Sequence, residues 1–309
     1  MMLASPDGPE YAERLRQLQQ VLHTLPDKPE ESAASALRAL WCKAAGLRLS
    51  VQAAQEHAVP SLDARQLAQL DGLLARRLRG EPLAYLLERQ RFMGLELLAG
   101  PQALIPRRET EMLGNAALQL LREAALGVEN PLCVDVCCGS GNLALALARG
   151  VASAQVHGAD LSPEAVQLAR QNAEHTGLAQ RVQWHVGDLL APFEAPVWQR
   201  AMDMVLSAPP YISTTRLDDM PREIIGFEPS LAFDGGAFGV GILMRLLRQA
   251  PALLRPGGWL CLEVGLGQGP AMLQLARRDT RYDEVRAEAD ELGRERVVLA
   301  RRAREPGGG

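Results

Sequence analysis

The chain has 309 residues, room enough for two domains, and is 47% hydrophobic and 23% charged, an ordinary balance for a globular protein. Its net charge of −4 provides no global field for holding nucleic acid, so direct nucleic-acid binding is not expected. No apolar run reaches the roughly 18 residues that cross a bilayer, and "MMLASPDGPEYAERL" lacks the basic start and apolar core of a signal peptide, so the expectation is a cytoplasmic protein with no membrane contact.

Residues 1–90 are expected to form a small helical domain. "YAERLRQLQQVLHTL" and "LDARQLAQLDGLLARRLRG" repeat apolar residues at three- and four-residue spacing, and Gly80 and Pro82 end the last helix. "RFMGLELLAGPQALI" partly alternates and carries a Gly-Pro break, which reads as a β-hairpin linker over 91–106. From 107 to 303 strands alternate with helices, and 304–309 read as a frayed tail. The expected order is a helix at 109–125, strand 132–138, helix "NLALALARG", strand 154–160 and helix 163–177. Strands 182–188 and 202–207, a helix near 239–254, the turn "RPGG" and strand 259–265 follow. Ser162 and Pro163 suit the cap and first turn of the 163–177 helix. The alternation predicts an α/β domain with a parallel sheet covered on both faces, binding ligands at the carboxyl ends of its strands.

The five cysteines, Cys42, Cys133, Cys137, Cys138 and Cys261, match no zinc spacing, so no metal is expected and buried small side chains are. "VDVCCGSGNLALALA" is strand, glycine turn and helix, and Gly139 and Gly141 let the backbone turn sharply beside a ligand. Asp160 ends the next strand about 20 residues on, where an acid holds ribose hydroxyls. A dinucleotide fits this outline, with Ala144 at the third glycine position. Asp135 favours the other candidate, S-adenosylmethionine, because a carboxylate repels a pyrophosphate and attracts a cationic amino-acid end. Asp188, in "VGD", is a third strand-end acid.

The blocks "GEPLAYLLERQRFMGLELLAGPQALIPRRETEML", "VDVCCGSGNLALALA", "VLSAPPYI", "GFEPSLAFDGG", "LRPGGWLCLEVGLGQG" and "ADELGRERVVLA", in that order over roughly residues 75 to 300, resemble the HemK-like family of protein-(glutamine-N5) methyltransferases. The resemblance implies a Rossmann-like seven-stranded class I methyltransferase domain behind a small helical domain and hairpin linker. It implies an S-adenosylmethionine-dependent N-methyltransferase whose partner is a release factor or a ribosomal protein. The cysteine pair and "DDMPREIIGFEP" look more like the ribosomal-protein branch. By resemblance Asp135, Cys137, Cys138, Gly139, Ser140, Gly141, Asp160, Leu161, Asp188, Leu189 and Ser207 would hold the cofactor. Arg107, Glu111, Ala208, Pro209, Tyr211 and Glu228 would meet the substrate, and Glu263 and Gln268 match the strand-end block "LEVGLGQ". Arg108 stands where the family's "IPRPETE" has a proline.

The family's tetrapeptide is Asn-Pro-Pro-Tyr; here it is Ala208-Pro209-Pro210-Tyr211. In the family the Asn carbonyl oxygen and the first proline's carbonyl accept the two hydrogens of the substrate amide, and the tyrosine packs on its flat group. Ala208 has no acceptor. Two other readings therefore stand beside methylation of a planar side-chain nitrogen. One is a divergent member acting on a small-molecule nitrogen: a free amino acid's guanidine or amine, or a natural-product intermediate. The other is an inactive or trapped variant, or a non-catalytic relative that binds the cofactor. A guanidinium needs carboxylates to bind it, and Asp218, Asp219, Glu223 and Glu228 follow the loop; each also fits a solvated surface acid.

Overall fold

The computed structural model describes residues 4–22, 24 and 28–304, without the side chains of Asp218, Asp219 and Arg222; the expected tail from 305 onward lies outside the described residues. The chain divides into two compact units. The first takes the residues up to Pro101 together with Ile105–Arg108 and Pro221–Glu228; the second takes Gln102–Leu104, Glu109–Met220 and the chain from Pro229.

In the first unit, helices α1 (Pro9–Val21), α2 (Ala33–Ala44), α3 (Val51–Glu56), α4 (Ala64–Leu78) and α5 (Leu83–Leu87) precede a hairpin of β1 (Arg89–Phe92) and β2 (Leu95–Leu98). Each of three helices starts where a short polar side chain accepts an otherwise orphaned N–H: Ser32, Ser50, and Asp63, which forms a capping box with Gln66. Their apolar stripes meet around fully buried Trp41, Leu37, Leu40 and Leu70, each such burial contributing about 1.5–3 kcal/mol. The hairpin lies earlier than expected, because the chain reverses at Met93-Gly94, where both residues have positive φ; the Gly-Pro break falls after β2. Pro221–Glu228 is fixed by buried charge. Glu223 accepts from Lys28 Nζ at 2.5 Å and Arg77 Nη1 at 2.7 Å, and Arg77 Nη2 also lies 3.2 Å from Glu31.

In the second unit the chain runs α6 (Thr110–Ala125), β3 (Leu132–Val136), α7 (Asn142–Gly150), β4 (Gln155–Asp160), α8 (Pro163–His175), β5 (Val182–Val186) and β6 (Met202–Ser207). After α9 (Arg222–Ile225), which belongs to the first unit, come α10 (Gly241–Leu253), β7 (Leu254–Glu263), α11 (Gly269–Arg278), β8 (Tyr282–Ala289) and β9 (Glu295–Arg302). The sheet order is β5-β4-β3-β6-β7-β9-β8. Strands β5 to β7 are parallel, as the alternation predicts. Beyond the alternating segments the sheet is mixed: at one edge β9 pairs antiparallel with both β7 and β8. No helix separates β8 from β9, so they close as a hairpin over the turn at Asp290–Gly293. "RPGG" is likewise not a turn before a strand: β7 runs through it, and its register against β6 jumps between Met202 and Met204.

The chain lays down β3, β4 and β5 outward, then returns to place β6 on the other side of β3. The switch in strand order therefore lies between β3 and β6, where open α/β sheets bind ligands. All six residues of β6 are buried, which explains its unbroken apolar run. One sheet face carries Val134, Val205, Leu260 and Leu262 against Leu243, Leu246 and Leu247 of α10 and Met272 of α11.

Candidate active site

Strand β3 delivers Asp135, Cys137 and Cys138 to the switch point, and the chain then turns through Gly139 (φ 52°) and Gly141 (φ 81°) into α7. Cys137 itself has φ 60°, a strained backbone for a non-glycine residue. Asp135 is 1% exposed. Its Oδ2 accepts from Ala144 N–H at 3.1 Å, and its Oδ1 has no hydrogen-bond partner. Burial pushes its pKa up to about 8, and nearby Asp160 adds to the rise. Ser140 Oγ is a second buried polar atom without a partner in this turn.

Asp160 ends β4 and is fixed by two backbone donors, Gly139 N–H to Oδ2 and Ser162 N–H to Oδ1, both at 2.9 Å. Burial raises its pKa. Leu161 follows it, about half exposed. Ser207, on β6, pairs in register with Val136 and donates its hydroxyl to the Val136 carbonyl at 2.6 Å. Asp188 is not at the strand end as expected: β5 stops at Val186, and Asp188 lies two residues beyond, exposed and ion-paired with Arg245 at 2.6 Å. Gly187 N–H donates to the Asp160 carbonyl at 2.9 Å, which ties this loop to the end of β4. Leu189 is buried, with φ 51°.

Gly141 faces protein. A Cβ there would come within 2.6 Å of Trp184 Cη2, and Gly158 is closed off by the same indole. Among the described residues no group of three or more His, Cys, Asp or Glu is arranged to hold a metal ion. Cys133, Cys138 and Cys261 are buried and Cys137 is half-buried; burial raises all four thiol pKa values.

The loop after β6 begins with half-buried Ala208 and buried Pro209. Tyr211 is held at both ends. Its hydroxyl donates to Glu263 Oε1 at 3.0 Å, and its carbonyl accepts from Gln268 Nε2 at 2.9 Å. Glu263, at the end of β7, is 2% exposed, and burial raises its pKa. Arg296 Nη2 lies 3.4 Å from the Tyr211 hydroxyl, 3.6 Å from Glu109 and 3.8 Å from Glu263. Beyond Tyr211, Ile212 N–H donates to the Phe233 carbonyl at 3.0 Å and Gly235 N–H to the Ile212 carbonyl at 2.7 Å. Thr214 N–H reaches the Gly236 carbonyl at 3.0 Å. The "FDGGAFG" segment thus straps the loop.

Arg107 and Glu228 meet each other, in the first unit. Arg107 Nη2 lies 2.5 Å from Glu228 Oε1, whose partner oxygen accepts from Ile105 N–H at 3.0 Å. Glu223 and Glu228 are therefore not the solvated surface acids they resembled; the side chains of Asp218 and Asp219 are outside the described residues. Glu111 is half-buried in the first turn of α6. Arg296 was missed in the sequence. A lone arginine before an apolar strand reads as a surface residue, and only the pairing of β9 with β7 brings it to Glu263.

The chemistry of this strand-end cluster is that of a cation site beside a rigid loop. A buried carboxylate oxygen without a partner suits an ammonium group and repels a pyrophosphate. A family model described as methyltransferase domain matches residues 133–226, and one described as PrmC N-terminal domain matches residues 16–87. A protein of Geobacter sulfurreducens named release factor glutamine methyltransferase is 39% identical over 240 residues, covering 78% of this chain and 80% of its own. Proteins with the same name from Moorella thermoacetica and Vibrio cholerae are 40% and 37% identical, covering 74% and 77% of this chain and 78% and 79% of their own.

Proposed function

The chain belongs to the release factor glutamine methyltransferase family, and from that premise we propose that it methylates the side-chain amide nitrogen of a glutamine in a release factor. It is an S-adenosylmethionine-dependent N-methyltransferase with a class I methyltransferase fold. The relatives' names favour a release factor over the ribosomal protein suggested by the cysteine pair. One observation carries the reading. The partnerless carboxylate oxygen of Asp135 and the clamped Pro-Pro-Tyr loop leave adjacent parallel strands β3 and β6 at the same end of the sheet, astride the switch in strand order.

When bound, the cofactor supplies a methyl group on a positively charged sulfur. Asp135 Oδ1 would take its amino group, in the low-dielectric setting where a charge pair is strong. Asp160, already aligned by Gly139 and Ser162, would accept ribose hydroxyls on its remaining lone pairs. Leu161, Asp188 and Leu189 would flank the adenine. Main chain from Cys137 to Gly141 would line the amino-acid end, with Ser207 at the base.

An amide nitrogen is a poor nucleophile because its lone pair is delocalised into the carbonyl. The residues after β6 therefore act by positioning, which lowers a barrier by about 7–11 kcal/mol at best. The Pro209 carbonyl would accept one amide hydrogen, and Tyr211 would present its ring. Ser207 Oγ donates to Val136 and also bonds the Cys137 thiol, and its remaining lone pair would accept where Ala208 offers nothing. The guanidine reading loses support because Glu223 and Glu228, two of its candidate carboxylates, are already neutralised by Lys28, Arg77 and Arg107.

The test is Ala208→Asn, assayed on a release factor. One acceptor restored to a buried amide is worth about 1–3 kcal/mol, so the variant is expected to methylate about 5- to 150-fold faster than the unsubstituted chain. A slower variant, or a natural chain that methylates only a small guanidine or amine, overturns the reading.

A further inference from the structure

Pro209 and Pro210 have no N–H, so the two residues that follow Ala208 cannot be fixed by backbone donation. The strap at Phe233–Gly236 holds the loop only from Ile212 onward. Between them lies the Tyr211 carbonyl, held by a side chain from another loop. Gln268 uses its whole carboxamide there. Nε2 donates to the Tyr211 carbonyl at 2.9 Å and the Gly239 carbonyl at 3.3 Å, and Oε1 accepts from Gly265 N–H at 2.9 Å. One planar group thus ties the acceptor loop, the strap and the turn after β7.

The surrounding glycines leave no slack. A Cβ on Gly265 would come within 2.9 Å of Tyr211 Cδ2 and 3.0 Å of Gln268 Oε1. A Cβ on Gly235 would press on the Pro210 carbonyl at 2.8 Å and Tyr211 Cα at 3.0 Å. At Gly239, with φ +68°, a Cβ would collide with the Tyr211 carbonyl and come within 3.0 Å of Gln268 Nε2. Three glycines packed on one tyrosine and one amide form a built seat. Its simpler use is to start α11, since Gln268 is that helix's N-cap residue, but its side chain does not cap α11. Both of its donor contacts point away, to residues 57 and 29 positions distant.

We propose that Gln268 is the positioning residue that fixes the Pro-Pro-Tyr backbone for methyl transfer, a role that rests on the reading above. The Pro209 carbonyl is the remaining main-chain acceptor for the substrate amide, and Gln268 is the side chain that holds the backbone next to it, at the Tyr211 carbonyl, while Glu263 holds the far end of the Tyr211 side chain. Ala208 has no side-chain acceptor, so the direction of the Pro209 carbonyl matters the more in this chain.

The variants are Gln268→Ala and Gln268→Glu, the second keeping the acceptor for Gly265 N–H while losing both donations. Each is compared with the natural chain for S-adenosylhomocysteine affinity, for kcat and KM on a release factor, and for amide hydrogen exchange. Expected are cofactor affinity within about twofold, kcat lower by about 100-fold, and faster exchange confined to Ile212, Thr214 and Gly235, joined in Gln268→Ala by Gly265, whose N–H loses its acceptor there. Unchanged exchange at those amides overturns the proposal whether or not the chain methylates. So does a kcat within about twofold of the natural chain, or a loss of kcat that only follows a loss of cofactor affinity. A natural chain that orders this loop through Gln268 yet methylates no glutamine overturns the methyl-transfer reading instead.

Discussion

At the level of single residues, the proposed cofactor binding turns on buried Asp135. Folded, it keeps its proton to about pH 8; its ordinary value is 3.8. Between those values the folded state binds more protons than the unfolded one, so this group's contribution to stability falls as pH rises through that window. A cation at Oδ1 favours the ionised form. Binding of S-adenosylhomocysteine, which keeps the amino group, is therefore expected to release a proton at pH 7 and to tighten up to about pH 8. Calorimetry in two buffers of different ionisation enthalpy measures that proton, and Asp135→Asn is expected to abolish it; proton uptake on binding would contradict the assignment. Asp135 and Asp160 were legible in the sequence because strand, glycine turn and strand end are set by local spacing. Tyr211 was legible as a stiff position after two prolines. The way it is held was not, since Glu263, Gln268, Arg296 and Gly239 are distant in sequence and converge only through the strand order.

Between elements, the glycine turn is locked by packing that its motif does not advertise. Trp184 on β5 covers Gly158 on β4 and Gly141 at the start of α7, so both glycines are spaces for an indole. Gly158→Ala has no backbone penalty from φ and must displace the ring. It is expected to cost about 1–3 kcal/mol, read as a lower unfolding midpoint; an unchanged midpoint would mean that the indole moves freely. The same limit explains the unread sheet edge. Strand β8 is only partly apolar, and its charges pair across to β9, as Asp283 and Glu284 do with Arg301. The hydrophobic period that revealed the inner strands is weak there. The hairpin β1–β2 was read in kind but not in register, since a Gly-Pro pair is a louder turn signal than Met93-Gly94.

At the scale of the whole molecule, the chain combines an α/β methyltransferase unit with a helical unit that also takes in Pro221–Glu228. No helix among the described residues is long and apolar enough to cross a membrane. Within the helical unit, buried Lys28, Glu31 and Arg77 meet half-buried Glu223, and removing one charge from such a group strands the others. Glu223→Gln is expected to destabilise by about 3–5 kcal/mol, measured by chemical unfolding; a loss below about 1 kcal/mol would show the cluster to be solvated. Such a buried charge network is invisible to spacing rules, which treat each acid as a surface residue. The most direct test of the whole account is mass spectrometry of a release factor after incubation with the chain and isotopically labelled S-adenosylmethionine. One labelled methyl group is expected on a glutamine side-chain nitrogen, absent with Asp135→Asn. A label on any other residue type, or none on the protein while a small amine or guanidine is labelled, would contradict it.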